Sequence, residues 1–233
     1  MIDFSKRSLL PEKMDQPEVA ENEIRQALRE LEIVNERLGG YSVILNALEK
    51  IKWNNGNVSF LDLGCGGGDM LRAIAKWSKK NNKKAKLTGI DRNPVMTKYA
   101  KEHSLMFPAI DFKTMDVFDD ELLDLKADVT MNSLFCHHFD QPQLVHLVKR
   151  MYQLASHHVI INDLERHWFA YYSIKALTAL FSKTFLLKYD APLSVARSLT
   201  RKEWEEILRD AGIKNYSLKW MWAWRWQIII NKN

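Results

Sequence analysis

Cysteine is almost missing from this chain: two in 233 residues, Cys65 and Cys136, neither in a Cys-x-x-Cys pair nor in a His/Cys ligand cluster. That excludes a disulfide framework, argues against structural zinc and suits the reducing cytoplasm, so no metal is expected. A long apolar run is missing too. The most apolar stretch, Trp168 to Leu187, is interrupted by Ser173, Lys175, Thr178, Ser182, Lys183 and Thr184, which makes a poor membrane span. Met1 to Lys13 lacks the continuous apolar core of a signal peptide. Charge of one sign is not in large excess, at 34 Lys and Arg against 29 Asp and Glu. The one basic run, Lys79-Lys80-Asn81-Asn82-Lys83-Lys84, reads as a solvated loop, and no nucleic-acid partner is expected from it.

What is present is a globular composition, 46% hydrophobic, at the upper end of the length of one α/β domain. No repeat, low-complexity segment or linker divides it, so residues 1–233 read as a single domain. Apolar positions from Glu18 to Leu38 recur at helical steps until Gly39-Gly40, and a second helix is expected from Tyr41 to Ile51. The turn-rich Asn54-Asn55-Gly56-Asn57 then leads into Val58–Leu63, a short apolar run of the kind buried parallel strands show. Four more strands are expected at Ala85–Asp91, Ile110–Met115, Ala127–Asn132 and His158–Asp163, with helices between them. Such alternation implies a parallel sheet covered on both faces.

Beyond Asp163 the reading is one long helix from about Trp168 to Leu187, a loop from Lys188 to Ser198, and a helix from Arg201 capped by Thr200 and Glu203. Period-two alternation from Tyr216 to Ile230 predicts a terminal hairpin. Its tryptophans, Trp220, Trp222, Trp224 and Trp226, are expected on one face packed against helices, with a contact between two copies of the chain as a further use.

The chemistry starts at Phe60-Leu61-Asp62-Leu63-Gly64-Cys65-Gly66-Gly67-Gly68-Asp69-Met70, a strand running into four glycines and a helix. A dinucleotide fingerprint needs a sixth-position glycine, and Asp69 stands there, where a carboxylate would repel phosphate. No Lys-Ser or Lys-Thr follows, so a phosphate-binding P-loop is excluded as well. A ligand with a cationic or neutral group against the loop remains.

Asp62-Leu63-Gly64-Cys65-Gly66-Gly67-Gly68 resembles the first motif of the class I S-adenosylmethionine (SAM)-dependent methyltransferases, and the resemblance extends over about Val58 to Asp163. It implies a Rossmann-like, doubly wound, mostly parallel seven-stranded sheet with N-terminal helices (1–52) as a cover and a helical lid (164–200) after the fifth strand. It implies SAM as cofactor, held by Asp62, Gly64, Cys65, Gly66 and Gly68, by Asp91 and Arg92 at ribose and adenine, by Asp116 and Val117 on the adenine side, and by Ser133 and Leu134 beside the methionine part. In Asn132-Ser133-Leu134-Phe135-Cys136-His137-His138 the histidine pair resembles that of small-molecule methyltransferases similar to the ubiquinone and menaquinone enzymes. Imidazole titrates near neutral pH, so either histidine is a candidate base, with helix capping or packing beneath the site as the alternative. Two adjacent side chains cannot both face the methyl group, and His138 is preferred.

Arg7, Asp163, Tyr172, Ser194 and Arg197 are candidate acceptor contacts, with Arg7 expected to reach a carboxylate of cofactor or substrate. The expected activity is methyl transfer to a small, largely apolar acceptor, most simply a phenolic or polyketide-like hydroxyl. C-methylation of a quinone-type ring and a non-catalytic SAM-binding regulator are the alternatives. The missing Asn-Pro-Pro-Tyr-like motif counts against methylation of bases or glutamine.

Overall fold

The computed structural model describes residues 3–51 and 57–232; Asn54, Asn55 and Gly56, read above as a turn, lie outside them. Seven strands form one sheet in the order β3-β2-β1-β4-β5-β7-β6. They are β1 (Val58–Leu63), β2 (Ala85–Asp91), β3 (Ile110–Thr114), β4 (Ala127–Ser133), β5 (Ala155–Leu164), β6 (Tyr216–Met221) and β7 (Arg225–Asn231). Strands β1 to β5 are parallel; β7 runs antiparallel between β5 and β6. Because β2 leaves β1 to one side and β4 joins it from the other, the carboxyl ends of β1 and β4 part and open a crevice.

Helices α1 (Glu21–Arg37) and α2 (Gly40–Lys50) precede the sheet; α3 (Asp69–Lys80), α4 (Pro94–His103) and α5 (Gln141–Leu154) connect its parallel strands. Capping boxes start α5 at Asp140/Gln143 and α8 (Arg201–Asp210) at Thr200/Glu203, each satisfying two otherwise unpaired backbone donors. One side of the sheet packs on α5 and α8 through Leu144, Leu147, Met151 and Trp204; the other packs on α2 and α3 through Ile44, Leu48, Leu71 and Ile74. Each such fully buried aliphatic chain contributes about 1.5–3 kcal/mol, enough to hold the crevice's two walls in register.

Two expectations are corrected here. The long helix and following loop are in fact two helices, α6 (Trp168–Phe181) and α7 (Phe185–Arg197), broken at Ser182-Lys183-Thr184. Glu30 accepts from Ser182 and Thr184 at the break, and the Thr184 hydroxyl caps α7 by accepting from the Leu187 amide. Although Pro192 sits inside α7, burial of Leu186, Leu187, Leu193, Val195 and Ala196 outweighs its helix-breaking tendency.

The tryptophan stripe likewise does not form one packed face, because the hairpin turns within it. Trp226 is 4% exposed with its indole N–H on the Leu199 carbonyl, whereas Trp220 on the edge strand is 48% and Trp222 66% exposed. Trp222 and Trp224 belong to the turn and reach the cavity described next.

Candidate active site

The crevice is a cavity of about 600 Å³ that runs from the glycine loop, past the turn after β4, to α6, α7 and the β6–β7 turn. At one end, Gly64 (φ 76°) turns the chain out of β1, and a Cβ there would stand 2.2 Å from the Phe135 ring. Gly66 (φ 50°) is different: a Cβ on it would meet nothing within 4 Å and would project into open space at the cavity wall. The bare backbone therefore leaves room for a ligand rather than for a protein neighbour.

Three acids stand around this end. Asp91 is 8% exposed; it accepts from the amides of Gly66 and Asn93, both at 2.9 Å, which fixes the loop and leaves further carboxylate lone pairs free. Asp62 is 1% exposed, and its Oδ1 has no hydrogen-bond partner. Burial foremost, then the neighbouring Asp69 and Asp91, pushes its carboxyl well above the usual range. A cationic group placed at Oδ1 would supply the missing partner and reverse that shift. Asp116, half-buried, accepts from the Phe118 amide at 2.9 Å and lines the cavity beside Val117. Cys65, Arg92, Ser133 and Leu134 line it too; burial pushes the Cys65 thiol up, so it is no thiolate.

Both histidines line the same cavity, on the short turn Cys136–His138. They have different neighbours. His137 is buried between Asp163, whose Oδ1 is 2.7 Å from Nδ1, and Glu12, 3.5 Å from Nε2. Against burial, which would lower it, Asp163 and Glu12 raise the ring to about 10, so it keeps its proton at neutral pH. His138 is partly exposed, with Nδ1 2.7 Å from Asp15 Oδ2 and Nε2 3.8 Å from Glu12 Oε2. Of the two, only His138 has the setting of a base, with a carboxylate orienting one ring nitrogen and the other near the cavity.

Glu12, His137 and His138 bring ligand atoms within 4.8 Å of one another, a spacing that a metal ion could bridge. A His137 that holds its proton is no ligand, and it pairs instead with Asp163 and Glu12. The sign of its pH dependence follows. His137 is raised from its ordinary 6.5 to about 10, so its stabilisation is complete below pH 6.5 and is lost as pH climbs to 10. Against burial, His138, His137 and Ser194 pull Glu12 from 4.5 down to about 2, and its contribution is lost as pH falls through that interval. The melting temperature should therefore drop between pH 7 and 10, by about 2–4 °C for each kcal/mol lost, and His137→Gln should flatten that part of a calorimetric pH series.

The candidate acceptor contacts fall in two groups. Ser194 lines the cavity and donates to Glu12 at 2.8 Å. Arg7, Arg197, Asp163 and Tyr172 are not on its wall, which corrects the expectation that they touch the acceptor directly. Arg7 gives its guanidinium to the backbone carbonyls of Arg197, His137 and Phe139 instead of a ligand carboxylate, and Arg197 donates to those of His137, His138 and Leu10. These two arginines fix the histidine turn from behind. Asp163, fully buried, accepts from the His137 amide and ring, and the half-exposed Tyr172 packs on Phe4 and Tyr171.

Sequence reasoning missed Glu12 and Asp15 as partners of the histidines, although their segment stood out, because contact across more than a hundred residues leaves no local signature. It also missed Arg225. This residue opens β7, is 4% exposed, and lines the cavity with Leu164, Phe169, Ile174, Trp222 and Trp224. Burial lowers its guanidinium to about 10, opposed only by Asp163, so it remains charged at neutral pH.

The seven-stranded sheet and its flanking helices have the Rossmann-like fold seen in methyltransferases. Residues 60–158 match the family model described as "Methyltransferase domain". A search of curated protein sequences gave no match. Among solved structures, human N-acetylserotonin methyltransferase in complex with SAM is similar at 19% identity, covering 92% of this chain, which spans 57% of that one, with a TM-score of 0.65. The plantazolicin methyltransferase BpumL in complex with S-adenosylhomocysteine is similar at 20% identity, covering 91% and 95% of the two chains, with a TM-score of 0.64. A SAM-dependent methyltransferase from Aquifex aeolicus shows 17% identity over 92% and 99%, with a TM-score of 0.64. The residues present fit SAM: the unpaired Asp62 Oδ1 suits an ammonium group, the space at Gly66 admits the ligand, and Asp91 has lone pairs for hydroxyl donors.

Proposed function

We propose that this enzyme methylates a hydroxyl of a small, largely apolar acceptor, phenolic or polyketide-like, to give a methyl ether, with His138 as the general base. The observation that carries this reading is the Asp15–His138 pair, 2.7 Å apart, both residues lining the cavity. Bound SAM supplies a methyl group on a positively charged sulfur; what the chain must add is alignment and a place for the hydroxyl proton. In this reading Asp15 accepts from His138 Nδ1, which orients the ring so that Nε2 takes that proton. His137, already protonated, holds Glu12 and so the N-terminal segment in place.

Helices α6 and α7 serve as the lid, with Phe169, Ile174 and Leu177 excluding water, and residues 3–16 serve as the cover. The human and plantazolicin enzymes are named for N-acetylserotonin and plantazolicin, which supports a small-molecule acceptor here. Incubation of the enzyme with methyl-labelled SAM and a panel of phenols, followed by product mass spectrometry, tests the proposal. Label on oxygen supports it; label found only on ring carbon would replace it with C-methylation, for which no base at the hydroxyl is needed.

A further inference from the structure

We infer that Arg225 anchors a carboxylate on the methyl acceptor, so that the substrate is an acid whose apolar part lies along the tryptophan turn. This inference rests on the methyl-transfer reading above. The observation behind it is a pair of unpaired donors: Arg225 Nε and Nη1 are both buried and neither donates a hydrogen bond. A nearby carboxylate, Asp163, spends three of its lone pairs elsewhere, Oδ1 accepting from His137 Nδ1 and the Leu164 amide and Oδ2 from the His137 amide. Removing a guanidinium from water without a partner costs several kcal/mol, and buried donors in folded proteins are overwhelmingly paired.

The unpaired atoms belong to a side chain on the cavity wall. Arg225 sits opposite Leu164 of β5 and Met221 of β6, so its position is fixed by strand pairing on both sides. A planar guanidinium so held offers a carboxylate one of its two-donor edges, Nε with Nη2 or Nη1 with Nη2. Around it, Leu164, Phe169, Ile174, Trp222 and Trp224 offer apolar surface, which suits an aryl or alkyl acid rather than a polar one.

The carboxylate of SAM itself is the other source of this chemistry, and sheet order argues against it. Of the three acids of the cofactor end, Asp62 and Asp91 stand in β1 and β2 and Asp116 follows β3, whereas Arg225 opens β7, beyond β4 and β5 in the order β3-β2-β1-β4-β5-β7-β6. Arg225 therefore stands on the far side of the histidine turn from the glycine loop.

The test uses the full chain and its own tryptophan fluorescence, since Trp222 and Trp224 line the cavity. Benzoate, trans-4-hydroxycinnamate and 4-octylbenzoate are each titrated against the corresponding amide, with and without saturating S-adenosylhomocysteine, whose own affinity is measured by calorimetry. At least one acid should bind about tenfold or more tightly than its amide; Arg225→Lys should keep part of that preference and Arg225→Met should abolish it, with S-adenosylhomocysteine affinity changed less than about twofold. Equal binding of acid and amide, or no binding by any of the acids, would overturn the inference. So would an Arg225→Met protein that binds S-adenosylhomocysteine about tenfold more weakly, which would give the guanidinium to the cofactor. Should the variants fail to fold, the Arg225 Nε–H resonance of the wild-type protein decides: it must shift with the acid and not with the amide. Absence of S-adenosylhomocysteine binding to the wild-type protein would sink the methyl-transfer reading alone, since the acid-to-amide ratio measured without it still judges Arg225.

Discussion

Asp91→Ala should bind SAM at least about 100-fold more weakly than the wild-type protein, the loss expected when a carboxylate gives up two charge-assisted hydrogen bonds worth about 1.5–3 kcal/mol each. Two of its lone pairs already hold the Gly66 and Asn93 amides, so the substitution also releases the loop. The two effects separate in Asp91→Asn, which keeps an oxygen to accept from one amide but lacks the charge. Calorimetric titration should place it between alanine and wild type. An Asp91→Ala protein within about threefold of wild type would show that the loop backbone alone holds the cofactor.

Loss of the His138 imidazole should act on turnover and not on binding. Removal of a general base costs about 10²–10⁴ in rate, and His138→Ala should lower kcat by that range while S-adenosylhomocysteine affinity stays within about twofold. The reason is what each touches: Asp91 holds the Gly66 amide of the glycine loop, whereas His138 pairs with Asp15. A variant with unaltered kcat would mean that the acceptor hydroxyl loses its proton to solvent or ionises by itself.

Legibility in the sequence followed the range of the interactions. Strand β1, the glycine loop and the acids at Asp62, Asp91 and Asp116 could be read from a window of a few residues each, because strand, turn and ligand group are consecutive there. The capping box at Thr200 and Glu203 was legible for the same reason. The region from Lys188 to Ser198 was not: its Tyr-Asp-Ala-Pro stretch has loop-like local preferences, and only burial of Leu193, Val195 and Ala196 against the domain makes it helix. Alternation misled at the tryptophans, since a hairpin turn at Trp222-Ala223-Trp224 preserves the written pattern while reversing the chain. The two histidines look equivalent in sequence. What divides them is that Asp163 and Glu12 enclose one, while Asp15 meets the other, contacts spanning 26 to 125 positions that no local pattern carries.

The N-terminal segment is stitched to α7 by the Ser8 amide on the Ala196 carbonyl, by the amides of Lys13 and Met14 on Asp190, and by Glu12 on Ser194. Those same residues carry Asp15 to His138 and Met14 to the cavity wall. Peeling the segment away would thus open the crevice to water and strip the base of its orienting carboxylate in one motion. With His138 as base, the order of the segment and the orientation of that base would then depend on the same few hydrogen bonds to α7.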